Sequence, residues 1–203
     1  MTKESQKIAL VILAAGTSKR MKSCKQLLPW KHTTLIDHAI GQALKSKADR
    51  VYVVFGAHKE QVLQEISKHP VAVVVNPHWM NGMGGSISSA ITRIIQDKEK
   101  FQAVLIALVD QPLVEYPHFN SLISQYLETG SLVATQFNDS TGVPALFPSE
   151  FFDKLLELKG GKGAKSIIQG QLNNTVLITE NKAAIDLDTP EEYQRCFEQY
   201  GHS

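Results

Sequence analysis

The chain has 203 residues, of which 43% are hydrophobic, and its 21 Lys and Arg residues nearly balance 20 Asp and Glu residues. This balance excludes a general attraction to nucleic acid or to an anionic membrane, so any anion recognition has to be local. The length suits one domain with a substantial core and is short for two, so we expect a single domain over residues 1–203. Two distant cysteines, Cys24 and Cys196, favour a reducing, cytoplasmic location.

The first prominent feature is an unbroken apolar run from Ile8 to Ala15, which ends at Gly16. The run predicts a strand buried on both faces, as in a parallel sheet, and it is short for a secretory signal peptide. Small residues and cations follow it, namely Thr17, Ser18, Lys19, Arg20, Lys22 and Lys25. This composition suits either an anion-binding loop, where backbone N–H groups and cations meet a phosphate, or a solvated basic loop.

Apolar β-branched runs then alternate with segments of helical periodicity. We predict strands at 51–55, 71–75, 103–109, 131–136, 141–147 and 176–178, and helices at 35–44, 60–68, 86–96, 116–128, 149–157 and 164–169. A terminal helix should begin after Thr189, with Pro190 and Glu192 in its first turn. The alternation predicts an α/β fold with a mostly parallel sheet and helices on both faces.

Smaller features complete the prediction of the fold. Pro144 cannot donate a backbone hydrogen bond, so we expect it at a sheet edge or lining a pocket. The seven histidines have no metal-ligand spacing, and we expect them at the surface or in turns.

Polar and glycine-rich segments mark the predicted ligand-binding edge. Asp110 follows a buried strand, where a carboxylate points either into the binding crevice of an open sheet or into a turn. The segment 76–85 combines three glycines with apolar side chains before the helix predicted at Ser86, and it suits either a ligand contact or a flexible connection. A second glycine- and lysine-rich segment spans 159–165, and Asp186 and Asp188 lie near the end of the chain.

Several common nucleotide and hydrolase motifs are absent. The chain lacks G-x-G-x-x-G and G-x-x-x-x-G-K-[ST] after the first strand, and it contains no G-x-S-x-G motif. Two carboxylates from distant segments can instead hold Mg²⁺ together with phosphate oxygens, while Arg20 and Lys25 bind a leaving pyrophosphate. This combination favours a nucleotidyltransferase.

The segment Leu13–Met21 (LAAGTSKRM) with Lys25 resembles the signature of the MobA-like NTP transferase family. Six further short motifs follow in that family's order, namely 25–30 (KQLLPW), 82–86 (GMGGS), 110–112 (DQP), 142–144 (GVP), 160–164 (GGKGA) and 186–191 (DLDTPE). Within the family, the chain is most similar to the molybdenum cofactor cytidylyltransferases. One departure is Lys22, which stands where the family usually has glycine.

The resemblance implies a fold and a reaction. The fold is a Rossmann-like three-layer nucleotidyltransferase fold with a mostly parallel central sheet. The reaction is transfer of CMP from CTP to Mo-molybdopterin with release of pyrophosphate and with Mg²⁺ as cofactor. GTP is the alternative nucleotide, and the protein partner would be a molybdenum hydroxylase of the xanthine dehydrogenase type or its maturation chaperone. No nucleic acid or membrane partner is expected.

The resemblance also implies roles for individual residues. Arg20, Lys25 and Asp110 are the expected catalytic residues, and Asp110 with Asp186 or Asp188 would bind the metal. The expected nucleotide-binding residues are Leu13, Ala14, Ala15, Gly16, Arg20, Lys25, Gly82, Met83, Ser86 and Asp110. The expected acceptor-binding residues are Gly142, Pro144 and Lys162.

Two other functions stay open from the sequence. One is a nucleotidyltransferase for a sugar or polyol phosphate, which uses the same chemistry. The other is a non-catalytic chaperone that binds molybdenum cofactor without transferring CMP. Such a chaperone would not need Arg20, Lys25, Asp110 and a second carboxylate together.

Overall fold

The structure is a computed structural model, and it describes residues 6–16, 19–21, 23–56 and 59–202. Its strands are β1 (Ile8–Leu13), β2 (Pro29–Trp30), β3 (Thr33–Thr34), β4 (Arg50–Phe55), β5 (Ala72–Val75), β6 (Ala103–Leu108), β7 (Leu132–Phe137), β8 (Ser140–Pro148) and β9 (Thr175–Thr179). Its α-helices are α1 (Leu35–Leu44), α2 (Lys59–Ile66), α3 (Met83–Gln96), α4 (Tyr116–Thr129), α5 (Phe152–Leu156), α6 (Lys165–Gly170) and α7 (Pro190–Tyr200). Short 3₁₀ helices cover Lys19–Met21, Lys25–Leu27, Trp79–Asn81, Ser149–Phe151, Leu172–Asn174 and Asn181–Ala184.

One sheet carries the fold, with the strand order β5-β4-β1-β6-β8-β7-β9. In this sheet only β8 runs antiparallel to its neighbours, β6 and β7, and the other pairings are parallel. The short strands β2 and β3 form a separate hairpin that the sequence did not indicate. The predicted mostly parallel α/β sheet is confirmed.

The sheet lies between two helical layers because both faces of its strands are apolar. In β1, Leu10 and Ile12 belong to a buried cluster shared with residues of α1, α2 and α4. Ala9 and Val11 belong to a second cluster with residues of α3, α5 and α6. This three-layer arrangement explains the near-continuous hydrophobicity of the central strands. In the part of the chain that the structure describes, no helix is both long and apolar enough to cross a bilayer.

The antiparallel strand β8 differs from expectation at Pro144. The strand lies inside the sheet, and Ala134 of β7 pairs with Ala145 while Thr135 pairs with Gly142. Val143 and Pro144 therefore form a bulge, and the missing N–H of Pro144 breaks no ladder hydrogen bond there. Of the two expected positions, the sheet edge is wrong because a bulge satisfies the same constraint, and Pro144 does line a small cavity near His38.

Two histidines are buried, which corrects the expectation that all lie at the surface or in turns. His38 Nε2 lies 3.1 Å from the Pro112 carbonyl, and His118 Nε2 lies 2.7 Å from Thr135 Oγ1. Burial lowers the pKa of both imidazoles. As neutral groups, His38 connects α1 to the loop after β6, and His118 connects α4 to β7.

Helices α1 and α7 both begin with capping side chains. Thr34 accepts a hydrogen bond from the backbone N–H of Asp37 at the start of α1. Thr189 forms a capping box with Glu192, and Pro190 is the first residue of α7. These contacts satisfy backbone donors that the first turn of a helix leaves unpaired.

Asp37 connects the start of α1 to the end of α2. It accepts hydrogen bonds from Thr33, from His69 at 2.6 Å and from Lys68 at 3.0 Å. Partial burial alone would raise the pKa of Asp37, but these donors outweigh it and lower the pKa to about 2.

The low pKa of Asp37 predicts an acid-dependent loss of stability. Its folded-state pKa lies below the unfolded value of 3.8, so its contribution is present above that value and disappears as pH falls through about 2. We expect Asp37→Asn to reduce the free energy of unfolding by about 1 kcal/mol at neutral pH. Urea unfolding at several pH values should show this difference shrinking between about pH 4 and pH 2. A difference that stays constant to pH 2 would contradict the assignment.

Candidate active site

The predicted cation and carboxylates meet at the carboxyl ends of β1 and β6. Lys25 lies in the 3₁₀ turn Lys25–Leu27, and its Nζ is 2.9 Å from Asp110 Oδ2 and 3.1 Å from Asp188 Oδ1. The Lys25 side chain is only 8% exposed. The structure therefore brings together three residues that are separated by most of the chain.

Electrostatics keep this group charged. Burial lowers the pKa of Lys25, but Asp110 and Asp188 outweigh it, so the pKa is raised overall and the ammonium persists at neutral pH. Asp188 also accepts from Arg20 at 2.7 Å. Burial would raise the pKa of Asp188, yet its bonds to Lys25 and Arg20 lower it overall. Arg20 is mostly exposed and can reach a ligand at the mouth of the site.

Asp186 has a different environment from Asp188. The Asp186 side chain is accessible to water. Partial loss of hydration and, to a lesser extent, repulsion from Asp110 nevertheless raise its pKa to about 6. Gln111 donates a hydrogen bond to it, which partly opposes this rise. Asp186 therefore lies close enough to Asp110 to sense its charge but has a weaker counter-ion than Asp188.

The carboxylate oxygens of this group suit a divalent cation whose remaining ligands come from the substrate. Asp110 Oδ1 is buried, and no hydrogen-bond donor reaches it among the described residues. Within these residues no three acidic, histidine or cysteine side chains converge tightly enough to hold a metal alone. Mg²⁺ or Mn²⁺ accepts oxygen ligands and often keeps water or substrate phosphates in its shell. Asp110 and one second carboxylate fit that pattern.

A narrow cavity of about 90 Å³ lies beside the group formed by Lys25, Asp110 and Asp188, and most of the predicted nucleotide-binding residues line it. Its lining includes Leu13, Ala15, Gly16, Trp79, Gly82, Met83, Ser86 and Asp110. Ala14 does not line it, because its side chain packs into the core. Asn76 is buried, and its Nδ2 donates to Ser86 Oγ at 3.0 Å, which fixes that hydroxyl at the cavity wall. Asn76 could not be predicted as a site residue from the sequence, because Asn before Pro is typical of an ordinary turn.

A larger cavity of about 240 Å³ adjoins the first, and Leu13 and Met83 line both cavities. Of the three predicted acceptor-binding residues, Gly142 lines this cavity, whereas Pro144 and Lys162 do not. Pro144 instead faces a small space near His38, and Lys162 is exposed on the neighbouring loop. Other residues that line the larger cavity are Ile87, Gln111, Phe137, Val143, Ala164, Lys165 and Asp186.

The two glycine-rich segments contact each other directly. Gly82 has φ of 105°, and the N–H of Gly84 donates to the Gly160 carbonyl at 3.0 Å. A Cβ on Gly84 would lie 2.7 Å from the backbone N of Lys159 and 2.7 Å from the carbonyl O of Lys162. The helix α3 begins at Met83 instead of Ser86, so Gly84 and Gly85 belong to its first turn. Gly82 and Gly84 therefore belong to a packed backbone junction, which argues against a flexible connection at these two residues.

The basic loop is described only in part. Arg20 and Lys25 have the contacts given above, whereas Thr17, Ser18 and the departure at Lys22 lie outside the described residues.

Comparison with known proteins agrees with this geometry. Residues 10–176 match the model of the MobA-like NTP transferase domain. The purine catabolism protein PucB of Bacillus subtilis (strain 168) is 31% identical over 194 residues, which cover 90% of this chain and 92% of PucB. The molybdenum cofactor cytidylyltransferase of Escherichia coli (strain K12) is 22% identical over 194 residues, covering 95% of this chain and 97% of that protein.

A solved structure supports the same fold. The manganese complex of Rv0371c from Mycobacterium tuberculosis H37Rv has a TM-score of 0.77 at 23% identity, over 95% of this chain and 98% of that one. The match of the family model over most of the chain and the identity to PucB agree with the sheet and its binding edge. The chain belongs to the MobA-like NTP transferase family.

Proposed function

We propose that this protein transfers CMP from CTP to Mo-molybdopterin and releases pyrophosphate, as a step in the maturation of molybdenum hydroxylases. The observation that carries the proposal is the group formed by Lys25, Asp110, Asp188 and Arg20 beside the 90 Å³ cavity, which shares Leu13 and Met83 with the larger cavity. A transferase needs both substrates on either side of the charge that develops during transfer. A chaperone that only holds cofactor has no use for such a group.

In the proposed reaction, a phosphate oxygen of the acceptor attacks the α-phosphorus of CTP. A new P–O bond forms there while the bond to the β-phosphate oxygen breaks, and pyrophosphate leaves with that electron pair. Lys25 and Arg20 stabilise the negative charge on the transferring and leaving phosphates. No covalent enzyme intermediate is needed.

Asp110 with Asp188 or Asp186 would hold the divalent cation, which neutralises phosphate charge when bound. The manganese in the Rv0371c structure supports a divalent cation in this family, and Mg²⁺ is our proposal for the physiological ion. The low pKa of Asp188 keeps it ionised for this role. Asp186 faces the larger cavity and is the better candidate to contact the acceptor.

The choice of substrates rests on relatives and on cavity chemistry. The E. coli relative is named for cytidylyl transfer to molybdenum cofactor, and PucB is named for purine catabolism. Phe137 and Val143 supply apolar walls in the larger cavity, and Lys165 supplies a cation. A flat heterocycle that carries a phosphate suits this combination of apolar and basic groups.

Incubation of the protein with Mo-molybdopterin, Mg²⁺ and each of the four NTPs in turn tests the proposal. We expect pyrophosphate release and a cytosine dinucleotide product, identified by mass spectrometry, with CTP as the best nucleotide. Parallel reactions with sugar and polyol phosphates test the main alternative acceptors. Tight pterin binding without pyrophosphate release from any NTP would favour the chaperone function instead.

Lys25→Ala should weaken nucleotide binding. Removing the ammonium deletes a charge-assisted contact worth about 1.5–3 kcal/mol, which corresponds to a roughly 10- to 150-fold higher Kd for CTP. Isothermal titration of CTP with Mg²⁺ measures this change, and Lys98→Ala, at an exposed lysine, is the matched control. Equal CTP affinity in the two variants would remove Lys25 from the site.

A further inference from the structure

Gln26 is a buried polar residue that contacts the loop after β1. Only 1% of its surface is exposed. Its Nε2 donates to the Ala14 carbonyl at 2.7 Å and to the Gly16 carbonyl at 3.2 Å. Its Oε1 accepts from the Cys24 thiol at 3.2 Å, so the orientation of the amide follows from its partners. Both ends of the amide are therefore satisfied inside the protein.

These bonds control which way the loop's peptide groups face. In a trans peptide the N–H points opposite to the carbonyl of the preceding residue. Because Gln26 holds the Ala14 carbonyl, the N–H of Ala15 points away from Gln26. Ala15 and Gly16 line the 90 Å³ cavity, whereas Gln26 does not. The amide thus sets the polar groups that this loop can offer to a ligand.

Gln26 also follows Lys25 directly in the same 3₁₀ turn. The Lys25 side chain extends to Asp110 and Asp188, while the Gln26 side chain extends to Ala14 and Gly16. One short turn therefore ties the charged group to the loop on the other wall of the cavity.

We propose that Gln26 is a positioning residue that holds the loop 14–16 in register with Lys25 and so determines recognition of the nucleoside part of a cytidine nucleotide. The proposal rests on the proposed function, which supplies the ligand. Gln26 acts through the backbone of the loop and does not contact the nucleotide.

Nucleotide binding without acceptor tests this role. The full chain with Mg²⁺ is titrated with CTP, GTP, CMP and pyrophosphate for the wild type and for Gln26→Met, which keeps the length of the side chain but removes its donors. We expect Gln26→Met to weaken CMP and CTP binding about tenfold, to reduce the preference for CTP over GTP, and to change pyrophosphate affinity less than threefold. A loss of CMP affinity without a loss of pyrophosphate affinity would show that Gln26 acts on the loop 14–16 and not on the phosphate contacts.

Controls separate positioning from general destabilisation. Gln42→Met makes the same substitution at a buried glutamine on α1 that accepts from the Tyr116 N–H, away from both cavities, and should leave every affinity unchanged. If Gln26→Met does not fold, Gln26→Asn keeps the amide but shortens its reach by one methylene and should show the same split. Thermal unfolding of each variant establishes that the folded protein is titrated.

One kind of result would contradict the role of Gln26, and another would contradict the proposed function. A folded Gln26 variant with wild-type CMP affinity, or one that loses pyrophosphate affinity as strongly as CMP affinity, overturns the role of Gln26. A wild-type protein that binds no cytidine nucleotide overturns the proposed function itself.

Discussion

Asp110→Asn should reduce turnover by roughly a thousandfold or more, while the protein remains folded. The substitution keeps the shape of the side chain but removes a charge from the carboxylate whose Oδ1 is buried and without a donor among the described residues. Asparagine is a weaker ligand for a divalent cation and a weaker counter-ion for Lys25. Lys25 still has Asp188 at 3.1 Å, so the loss should fall on catalysis more than on folding.

Three measurements check this prediction of the role of Asp110. Steady-state pyrophosphate release gives the turnover number, Mn²⁺ titration gives metal affinity, and thermal unfolding reports the fold. Asp153→Asn, at an exposed carboxylate on α5, is the matched control and should retain wild-type turnover. If Asp110→Asn retained even a tenth of wild-type turnover, Asp110 would not be the principal metal ligand.

Gly84→Ala should destabilise the protein and impair both cavities. On helix propensity alone, alanine would stabilise α3 by about 1 kcal/mol. The new Cβ would lie 2.7 Å from backbone atoms of Lys159 and Lys162, and backbone cannot yield as a flexible side chain can. Overpacking of this kind costs about 1–3 kcal/mol, so the steric cost should exceed the gain in propensity. Because Met83 lines both cavities, displacement of the helix start should also lower activity.

The same glycine-to-alanine substitution at Gly41 should have the opposite effect on stability. Gly41 lies inside α1, and nothing lies within 4 Å of the position of its Cβ. We expect Gly41→Ala to stabilise the protein by up to about 1 kcal/mol. Urea unfolding of both variants checks the pair. A Gly84→Ala protein as stable as Gly41→Ala would mean that the junction with the 159–163 segment does not constrain the helix.

The elements and the charged group could be predicted because each has a local signal. Continuous apolar runs indicated the central strands, and Thr189, Pro190 and Glu192 marked the last helix. Asp110 was predictable because it directly follows a buried strand, where open parallel sheets bind ligands. The composition of the basic loop alone left two interpretations open, and Lys25 was predicted from the combination of this loop with distant carboxylates and from the family resemblance.

Contacts between distant segments could not be predicted in the same way. In the sequence Gln26 lies between Lys25 and Leu27, and nothing there indicates that its amide reaches Ala14 and Gly16. The sequence prediction named Lys162 from the segment 159–165, whereas Lys165 of the same segment lines the larger cavity, and only the path of the backbone distinguishes the two. Likewise the bulge at Pro144 depends on pairing between β7 and β8, which is not a local property.

The contact of Lys25 with Asp110 and Asp188 has a consequence for the rate of association. Lys25 and Arg20 already have carboxylate partners, so these two cations present little uncompensated positive charge to an approaching nucleotide. They should therefore contribute little to long-range attraction of an anion or to any dependence of the association rate on ionic strength. Selection of the nucleotide then depends on exchange of ion-pair partners at close range, after the two molecules have met.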